Sequence, residues 1–204
     1  MSPIKPPFKL ICLVLAAGSS SRFGKADKRF AKLTPDKTLL AQTLENIQAS
    51  GLAYQCVVQA SDVQHPLLSS IKQHCLIAKD AELGMGHSLA SAINLLKCEY
   101  TAFLICLGDM PYIKPQTYQA VAEALQATSQ LGVIPHLPHS AAVLNNAGHP
   151  IGIQGELIQD FCMLAGDKGG KHLLKAKDNF LSFLTVDDMG IHQDIDTPEQ
   201  LQPL

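Results

Sequence analysis

The alternation of strand-length apolar runs with helical segments is the feature that most constrains the fold. The run "KLICLVLAA" (9–17) is apolar almost throughout, which is typical of a parallel strand that helices cover on both faces. The runs "AYQCVVQA", "LIAKD", "YTAFLICLGD" and "LGVIPHL" follow it, and amphipathic segments such as "TLLAQTLENIQASG" and "PQTYQAVAEALQATS" separate them. This order predicts an α/β fold of three layers (α/β/α) with a doubly wound, mostly parallel sheet.

The last third of the chain is less regular. "SAAVLNNAGHPIGIQ" predicts two short strands around an Asn-Asn-Ala-Gly turn, and "GELIQDFCMLA" predicts a helix. "GDKGGK" is expected to open another helix, and "FLSFLTVDD" predicts a further strand. The sequence contains no internal repeat, linker or low-complexity segment. We therefore expect a single domain over residues 1–204.

Composition and charge limit the partners. Hydrophobic residues make up 47% of the chain and the net charge is −2, which is typical of a globular protein without a basic nucleic-acid surface. No segment approaches the roughly 20 apolar residues of a membrane span. The six cysteines form no C-x-x-C pair and predict free thiols in a reducing compartment. We expect a cytoplasmic protein that binds neither nucleic acid nor membrane.

The first apolar run leads directly into "GSSSRFGK" (18–25), at the edge of the sheet where ligands bind in such folds. This loop is not a Walker A motif, because five residues separate its glycines where that motif has four. A G-x-G-x-x-G pattern is absent as well. Two interpretations remain: a solvated surface turn, or a turn whose backbone N–H groups face an anion while Arg22 and Lys28 reach in.

Two acidic segments are candidates for a metal site. Asp109 ends the apolar strand in "FLICLGDMP", and Asp194 and Asp196 alternate in "HQDIDTPEQL". Mg²⁺ binds one or two carboxylates together with substrate phosphates, so Asp109 and one of this pair form a plausible ligand set. The alternative is that these residues only form turns or caps. We assign the cap to Asp196 or Thr197, which leaves Asp194 as the second ligand.

Three other segments carry weaker indications. The glycines of "ELGMGHSLA" allow the backbone to approach a flat ligand closely, or simply open a helix. His149 is held extended before Pro150 and could orient a substrate. Lys168, Lys171 and His172 form a small basic cluster that is equally typical of a solvated surface.

Taken together and in this order, the motifs "LAAGSSSRFGKADK", "GMGHSLA", "LGDMP", "GHPIG", "GDKGGK" and "DIDTPEQL" resemble the molybdenum-cofactor nucleotidyltransferases, the MobA/MocA-like NTP transferase family. The resemblance covers nearly the full length. It implies a nucleotide-diphospho-sugar transferase (Rossmann-like) fold and attack of a phosphate on the α-phosphate of a nucleoside triphosphate. Pyrophosphate is the leaving group of that reaction.

The resemblance also implies site residues. Arg22, Lys28 and Asp109 are expected to be catalytic, with Mg²⁺ held by Asp109 and Asp194. His149, Pro150, Asp167 and Lys171 are expected to bind the second substrate. The nucleotide is expected to contact the first loop, Lys28 and the "GMGHS" segment, namely Leu15, Ala16, Ala17, Gly18, Ser19, Ser20, Ser21, Arg22, Lys28, Met85, Gly86, His87 and Ser88.

Within this family the chain is most similar to the cytidylyltransferase branch, because Ala17 completes "LAAG" and residues 85–88 read "MGHS". The expected reaction is transfer of CMP from CTP to molybdopterin, with a molybdoenzyme as a possible recipient of the product. Lys171 departs from the arginine that is usual in the family's "GD-x-G-x-R" motif. The alternatives are transfer from GTP, transfer to another acceptor such as a sugar phosphate, and a carrier that binds nucleotide or molybdopterin without turnover.

Overall fold

The computed structural model describes residues 7–18, 28–138, 147–167, 169–197 and 200–201. In these ranges nine strands are present, of which seven form one sheet and two form a small hairpin. The strands are β1 (Leu10–Leu15), β2 (Lys32–Thr34), β3 (Lys37–Thr38), β4 (Tyr54–Val58), β5 (Cys75–Ile77), β6 (Ala102–Leu107), β7 (Gly132–His136), β8 (Ile151–Gln154) and β9 (Leu181–Thr185).

The main sheet has the strand order β5-β4-β1-β6-β8-β7-β9. All of its strands run in the same direction except β8, which pairs antiparallel with both β6 and β7. The predicted doubly wound, mostly parallel α/β fold is therefore confirmed. The insertion of a reversed strand between β6 and β7 was not predicted.

Within the ranges given above, five α-helices accompany the sheet, and two of their starts follow from local sequence. Thr38 accepts a hydrogen bond from the Ala41 N–H at 3.2 Å and caps the first helix, whereas Pro115 opens the third. The helices are α1 (Leu39–Ala49), α2 (Met85–Leu96), α3 (Pro115–Ala127), α4 (Glu156–Cys162) and α5 (Lys171–Ala176).

The segment "HPLLSSIKQHC" between β4 and β5 forms 3-10 turns over Pro66–His74, with non-helical backbone at Ile71. The first of the two strands expected around the Asn-Asn-Ala-Gly turn lies outside the described residues, as do Asn145 and Asn146 of that turn. In the described part of the chain, no helix is long and apolar enough to cross a membrane.

The sheet separates two hydrophobic cores. Side chains alternate along β1, so that Ile11 and Leu13 pack with α2 and α4, whereas Cys12 and Val14 pack with α1 and α3. All four of these side chains are fully or almost fully buried. This double burial explains why β1 reads as a continuous apolar run.

A buried carboxylate fixes the segment that follows β9. Asp188 is 3% exposed. It accepts hydrogen bonds from the Lys114 N–H at 2.8 Å, the Thr117 hydroxyl at 2.5 Å and the Gly190 N–H at 3.0 Å. It therefore caps α3 from outside the helix and ties residues 186–196 to the α3 N-terminus. Further along, the Ile195 N–H donates to the Asp109 carbonyl at 3.1 Å.

A second buried carboxylate holds the exit of β1. Arg29 and Asp62 are each 9% exposed. The guanidinium donates to both Asp62 oxygens, at 2.5 and 3.1 Å, and to the Ala16 carbonyl at 2.5 Å. Gln59 donates its backbone N–H to Asp62 at 3.0 Å and its side-chain amide to the Ala17 carbonyl at 2.6 Å. Two consecutive carbonyls at the end of β1 are thereby fixed.

We predict that Asp188→Ala lowers the free energy of unfolding by about 2–4 kcal/mol, because three donors lose a charged acceptor in a buried position. Urea unfolding followed by circular dichroism measures this loss. Asp187→Ala is the matched control, since it removes the same charge from the exposed neighbouring position. Equal losses in the two variants would contradict the role given to Asp188.

We predict that Arg29→Met lowers the free energy of unfolding by about 3–5 kcal/mol, because it leaves the Asp62 carboxylate buried without its cation. The double variant Arg29→Met/Asp62→Leu is expected to regain most of this loss. The same unfolding experiment measures both. A double variant as unstable as the single one would show that the contact with the Ala16 carbonyl, and not the ion pair, provides the stability.

Candidate active site

A cavity of about 380 Å³ lies beyond the carboxyl ends of β1 and β6. This is the edge where doubly wound sheets bind ligands, and the volume is in the usual range for small-molecule sites. Its walls come from the β1 exit, the 3-10 turn after the first loop, the start of α2, the β6 exit and the 166–167 turn. The lining residues are Leu15, Ala16, Ala17, Gly18, Lys28, Arg29, Ala81, Glu82, Gly84, Met85, Ser88, Leu107, Gly108, Asp109, Asp167 and Asp196.

The β1 exit presents oriented backbone groups to this cavity. The Ala16 and Ala17 carbonyls are held by Arg29 and Gln59, on the side of β4. Both peptide bonds are trans, so the Ala17 and Gly18 N–H groups point the opposite way. Neither N–H has a backbone acceptor among the described residues. The predicted nucleotide-binding residues Leu15, Ala16, Ala17 and Gly18 thus line the cavity, whereas Ser19, Ser20, Ser21 and Arg22 lie outside the described residues.

Lys28 forms the charged centre of the cavity. Its ammonium lies 2.8 Å from Asp109 Oδ2 and 2.6 Å from Asp196 Oδ1, and its side chain is 11% exposed. Burial by itself lowers the pKa of Lys28, but hydrogen bonds to the two carboxylates and their negative charges outweigh burial and raise the pKa above 10.5. Lys28 therefore stays cationic at neutral pH.

The two carboxylate oxygens of Asp109 differ in their contacts. Its Oδ2 is paired with Lys28, but its Oδ1 is buried and has no hydrogen-bond partner among the described residues. A buried carboxylate oxygen without a donor is costly unless a further group binds it. Hard carboxylate oxygens from Asp109 and Asp196 suit Mg²⁺, which needs few protein ligands when phosphates supply the others. No set of three or more His, Cys, Asp or Glu side chains that could hold a metal occurs within the described ranges.

The second acidic residue at this centre is Asp196 and not Asp194. The sequence analysis paired Asp109 with Asp194 and gave Asp196 or Thr197 a capping role. In the structure Asp196 contacts Lys28 and lines the cavity, whereas Asp194 is exposed and does not line it. The physical reason is that the Ile195 N–H bonds the Asp109 carbonyl, and the residue after this contact is the one that turns towards Lys28. Metal binding itself stays a prediction.

The "GMGHS" segment contributes fewer lining residues than expected. Gly84, Met85 and Ser88 line the cavity, but Gly86 and His87 instead contact the 165–167 turn. The Gly86 N–H donates to the Gly166 carbonyl at 2.8 Å, and His87 Nδ1 accepts from the Gly166 N–H at 2.9 Å.

Close packing of two loops accounts for the glycines of this segment. Gly84 has a φ of +119°, and a Cβ there would lie 2.3 Å from an oxygen of Asp167. A Cβ on Gly86 would lie 2.8 Å from the Gly166 carbonyl oxygen. Gly84 also lines the cavity, and the close approach of a flat ligand to this backbone stays a prediction.

Of the four residues expected to bind the second substrate, one lines the cavity and three do not. Asp167 lines the cavity, and Lys171 is exposed at the start of α5. His149 and Pro150 lie between β7 and β8, and the His149 ring bonds the Ile105 carbonyl through Nδ1 at 3.2 Å. Burial lowers the pKa of His149, although this hydrogen bond and the nearby Asp109 and Asp194 charges oppose the shift. His149, Pro150 and Lys171 are not among the lining residues.

Sequence reasoning missed several residues of this site. Arg29 was overlooked although it follows Lys28 directly, because its partner Asp62 gives no local signal in the sequence. Glu82 and Leu107 were also missed. Glycine at 108 follows from packing, since a Cβ there would lie 3.1 Å from the Leu15 carbonyl oxygen and 3.0 Å from a Leu40 methyl group.

Solved structures with the same fold include Rv0371c from Mycobacterium tuberculosis H37Rv. It superposes with a TM-score of 0.78 at 22% identity, over 94% of this chain and 95% of that one. A complex of Rv0371C with manganese gives a TM-score of 0.71 at 20% identity, over 94% of this chain and 95% of that one. At these identities the likeness concerns the fold.

Curated relatives match part of the chain. The bifunctional protein GlmU of Lactococcus lactis is 28% identical over 109 residues, which are 53% of this chain and 24% of that protein. A probable molybdenum cofactor guanylyltransferase of Pyrococcus horikoshii is 27% identical over 127 residues, 62% of each chain. The match thus spans about a quarter of the length of GlmU.

The sequence profile of the MobA-like NTP transferase domain matches residues 12–180, well over half of the chain. This range contains most of the residues that line the cavity, among them the β1 exit, Lys28, the start of α2 and Asp109. The chain belongs to the MobA-like NTP transferase family.

Proposed function

We propose that this protein is a nucleotidyltransferase that transfers a nucleoside monophosphate from a nucleoside triphosphate to a phosphorylated small molecule. The observation that carries the proposal is the cluster of Lys28, Asp109 and Asp196 in a cavity at the carboxyl edge of the sheet. A cation and two carboxylates lie beside backbone N–H groups that have no backbone acceptor among the described residues. This arrangement suits a reaction that depends on positioning and on neutralising phosphate charge.

The β1 exit is the proposed cradle for the phosphates. The Ala17 and Gly18 N–H groups are turned away from the carbonyls that Arg29 and Gln59 fix, so they are available to an anion. The adjoining Ser19–Ser21 and Arg22 are proposed to hold the β- and γ-phosphates. Met85 and Ser88 are proposed to face the base and ribose, because they line the neighbouring wall.

Mg²⁺ is the proposed cofactor, and Asp109 with Asp196 would hold it. The support is the spare buried Oδ1 of Asp109 and the second carboxylate close to it. When bound, Mg²⁺ supplies positive charge that neutralises phosphate oxygens in the transition state.

The proposed reaction forms one bond and breaks one. A phosphate oxygen of the acceptor bonds to the α-phosphorus, and the bond between the α-phosphorus and the bridging oxygen to the β-phosphate breaks. The electron pair leaves with pyrophosphate. The Lys28 ammonium stabilises negative charge on the α-phosphoryl oxygens. An acceptor phosphate is already anionic, so the reaction needs no general base.

CTP and molybdopterin are the proposed substrates, in a cytoplasmic reaction that delivers product to a molybdoenzyme. The support is the resemblance of "LAAG" and "GMGHS" to the cytidylyltransferase branch, together with the Pyrococcus relative, which is named for the same cofactor. That relative is named a guanylyltransferase, so GTP is the main competing nucleotide.

We predict that the purified protein with Mg²⁺ and molybdopterin releases pyrophosphate from CTP, and not from GTP, ATP or UTP. An enzyme-coupled pyrophosphate assay measures this release. Release from GTP alone would keep the reaction and overturn the cytidylyl assignment, and release with a sugar phosphate alone would replace the acceptor. Nucleotide binding without release under any combination would favour the carrier.

We predict that Asp196→Asn lowers turnover on the order of 100-fold, because it removes the carboxylate charge that pairs with Lys28 and would hold the metal. Asp194→Asn is the matched variant two residues away, and its exposed charge is screened by solvent, so we expect a change within about threefold. Steady-state pyrophosphate release measures both. The reverse order of effects would restore Asp194 as the proposed ligand.

A further inference from the structure

Lys28 occupies the position that a divalent cation would need. Its ammonium lies between Asp109 Oδ2 and Asp196 Oδ1, at 2.8 and 2.6 Å. The Lys28 side chain is 11% exposed, and each of the two contacts pairs its ammonium with a carboxylate. The two carboxylates of the proposed metal site are therefore already bound to a cation of the protein itself.

Mg²⁺ and this ammonium cannot share the two carboxylates without a large electrostatic cost. Mg²⁺ binds oxygen at about 2.0–2.1 Å, which would bring it within a few ångströms of the largely buried Lys28 ammonium. Asp109 Oδ1 offers a metal one buried oxygen in the present arrangement, but the other oxygens that contact Lys28 would have to be released.

A triphosphate changes this balance because it offers the ammonium a new partner. Lysine is a mobile point charge on a flexible four-carbon stem, so its end can exchange carboxylates for a phosphate while the backbone stays in place. The Lys28 backbone is fixed by its neighbour Arg29, which is held by Asp62 and the Ala16 carbonyl.

We propose that Lys28 is an internal counter-cation that keeps the Asp109–Asp196 site closed to divalent metal until a nucleoside triphosphate binds. The inference rests on the proposed function. Nucleotide withdraws the ammonium to its phosphates, and the freed carboxylates then take the metal. Metal and nucleotide consequently bind with positive coupling, and Lys28 is the residue that provides it.

The experiment measures Mn²⁺ affinity without nucleotide, by electron paramagnetic resonance of the free ion, for the wild type, Lys28→Met and Lys177→Met. Lys28→Met is expected to bind Mn²⁺ about tenfold or more tightly than the wild type. Lys177→Met is the matched control, because it removes the same charge from a more exposed pair with Asp160, at 3.2 Å. Unchanged or weaker Mn²⁺ binding by Lys28→Met would overturn the proposal, and so would an equal gain in Lys177→Met.

A second comparison uses a non-hydrolysable CTP analogue. The wild type is expected to gain Mn²⁺ affinity when the analogue is added, and Lys28→Met to gain much less. If Lys28→Met does not fold, Lys28→Gln replaces it in the same measurements. The proposal still requires that the wild type gain Mn²⁺ affinity when the analogue is added. Lack of that gain would contradict the proposal.

These measurements separate the proposal from the proposed function. If the wild type releases pyrophosphate but Lys28→Met binds Mn²⁺ no more tightly than the wild type, the counter-cation role of Lys28 is wrong and the transfer reaction stands. If Lys28→Met binds Mn²⁺ more tightly but the wild type releases no pyrophosphate, the counter-cation role of Lys28 stands and the transfer reaction is wrong.

Discussion

The parallel pairing of β1 with β6 is the interaction on which the site depends. Their register runs from Leu10 opposite Ala102 to Leu15 opposite Leu107, so the two strands end at the same level. The Gly108 N–H then donates to the Leu15 carbonyl at 3.0 Å and brings the following Asp109 beside the β1 exit. Backbone amides for an anion and a carboxylate for a cation thus become neighbours because two buried strands pair.

Two consecutive basic residues connect this edge to the rest of the fold in opposite directions. Arg29 turns towards β4 and is neutralised by Asp62, whereas Lys28 turns towards β6 and is neutralised by Asp109 and Asp196. The first interaction is structural and orients the β1 carbonyls. The second is replaceable in the proposed mechanism, because a phosphate can substitute for a carboxylate. The same short 3-10 turn therefore carries both the fixed charge of Arg29 and the exchangeable charge of Lys28.

The sequence was sufficient for the features set by local pattern. A continuous apolar run predicts a strand buried on both faces, and β1 and β6 are such strands; Lys28, Asp109 and the β1 exit were also placed at the cavity. The sequence was not sufficient for features that depend on contacts between residues far apart in the chain. Asp194 and Asp196 were separated by a capping argument, but the bond of Ile195 to the Asp109 carbonyl selects Asp196. The antiparallel β8 has no local signal either, because reversed and parallel buried strands have the same composition.

The charges that line the cavity oppose the binding of a polyanion, so further positive charge is needed there. The described lining residues carry two basic side chains and four acidic ones, namely Lys28, Arg29, Glu82, Asp109, Asp167 and Asp196. Both basic side chains are already paired with carboxylates, so the described wall by itself repels a triphosphate. Binding must bring positive charge to this wall. The proposed sources are the Lys28 ammonium that the triphosphate draws from the carboxylates, the divalent metal that then binds these carboxylates, and Arg22 of the first loop. An acidic wall with an internal lysine is thus compatible with nucleotide binding only if metal, nucleotide and Lys28 rearrange together.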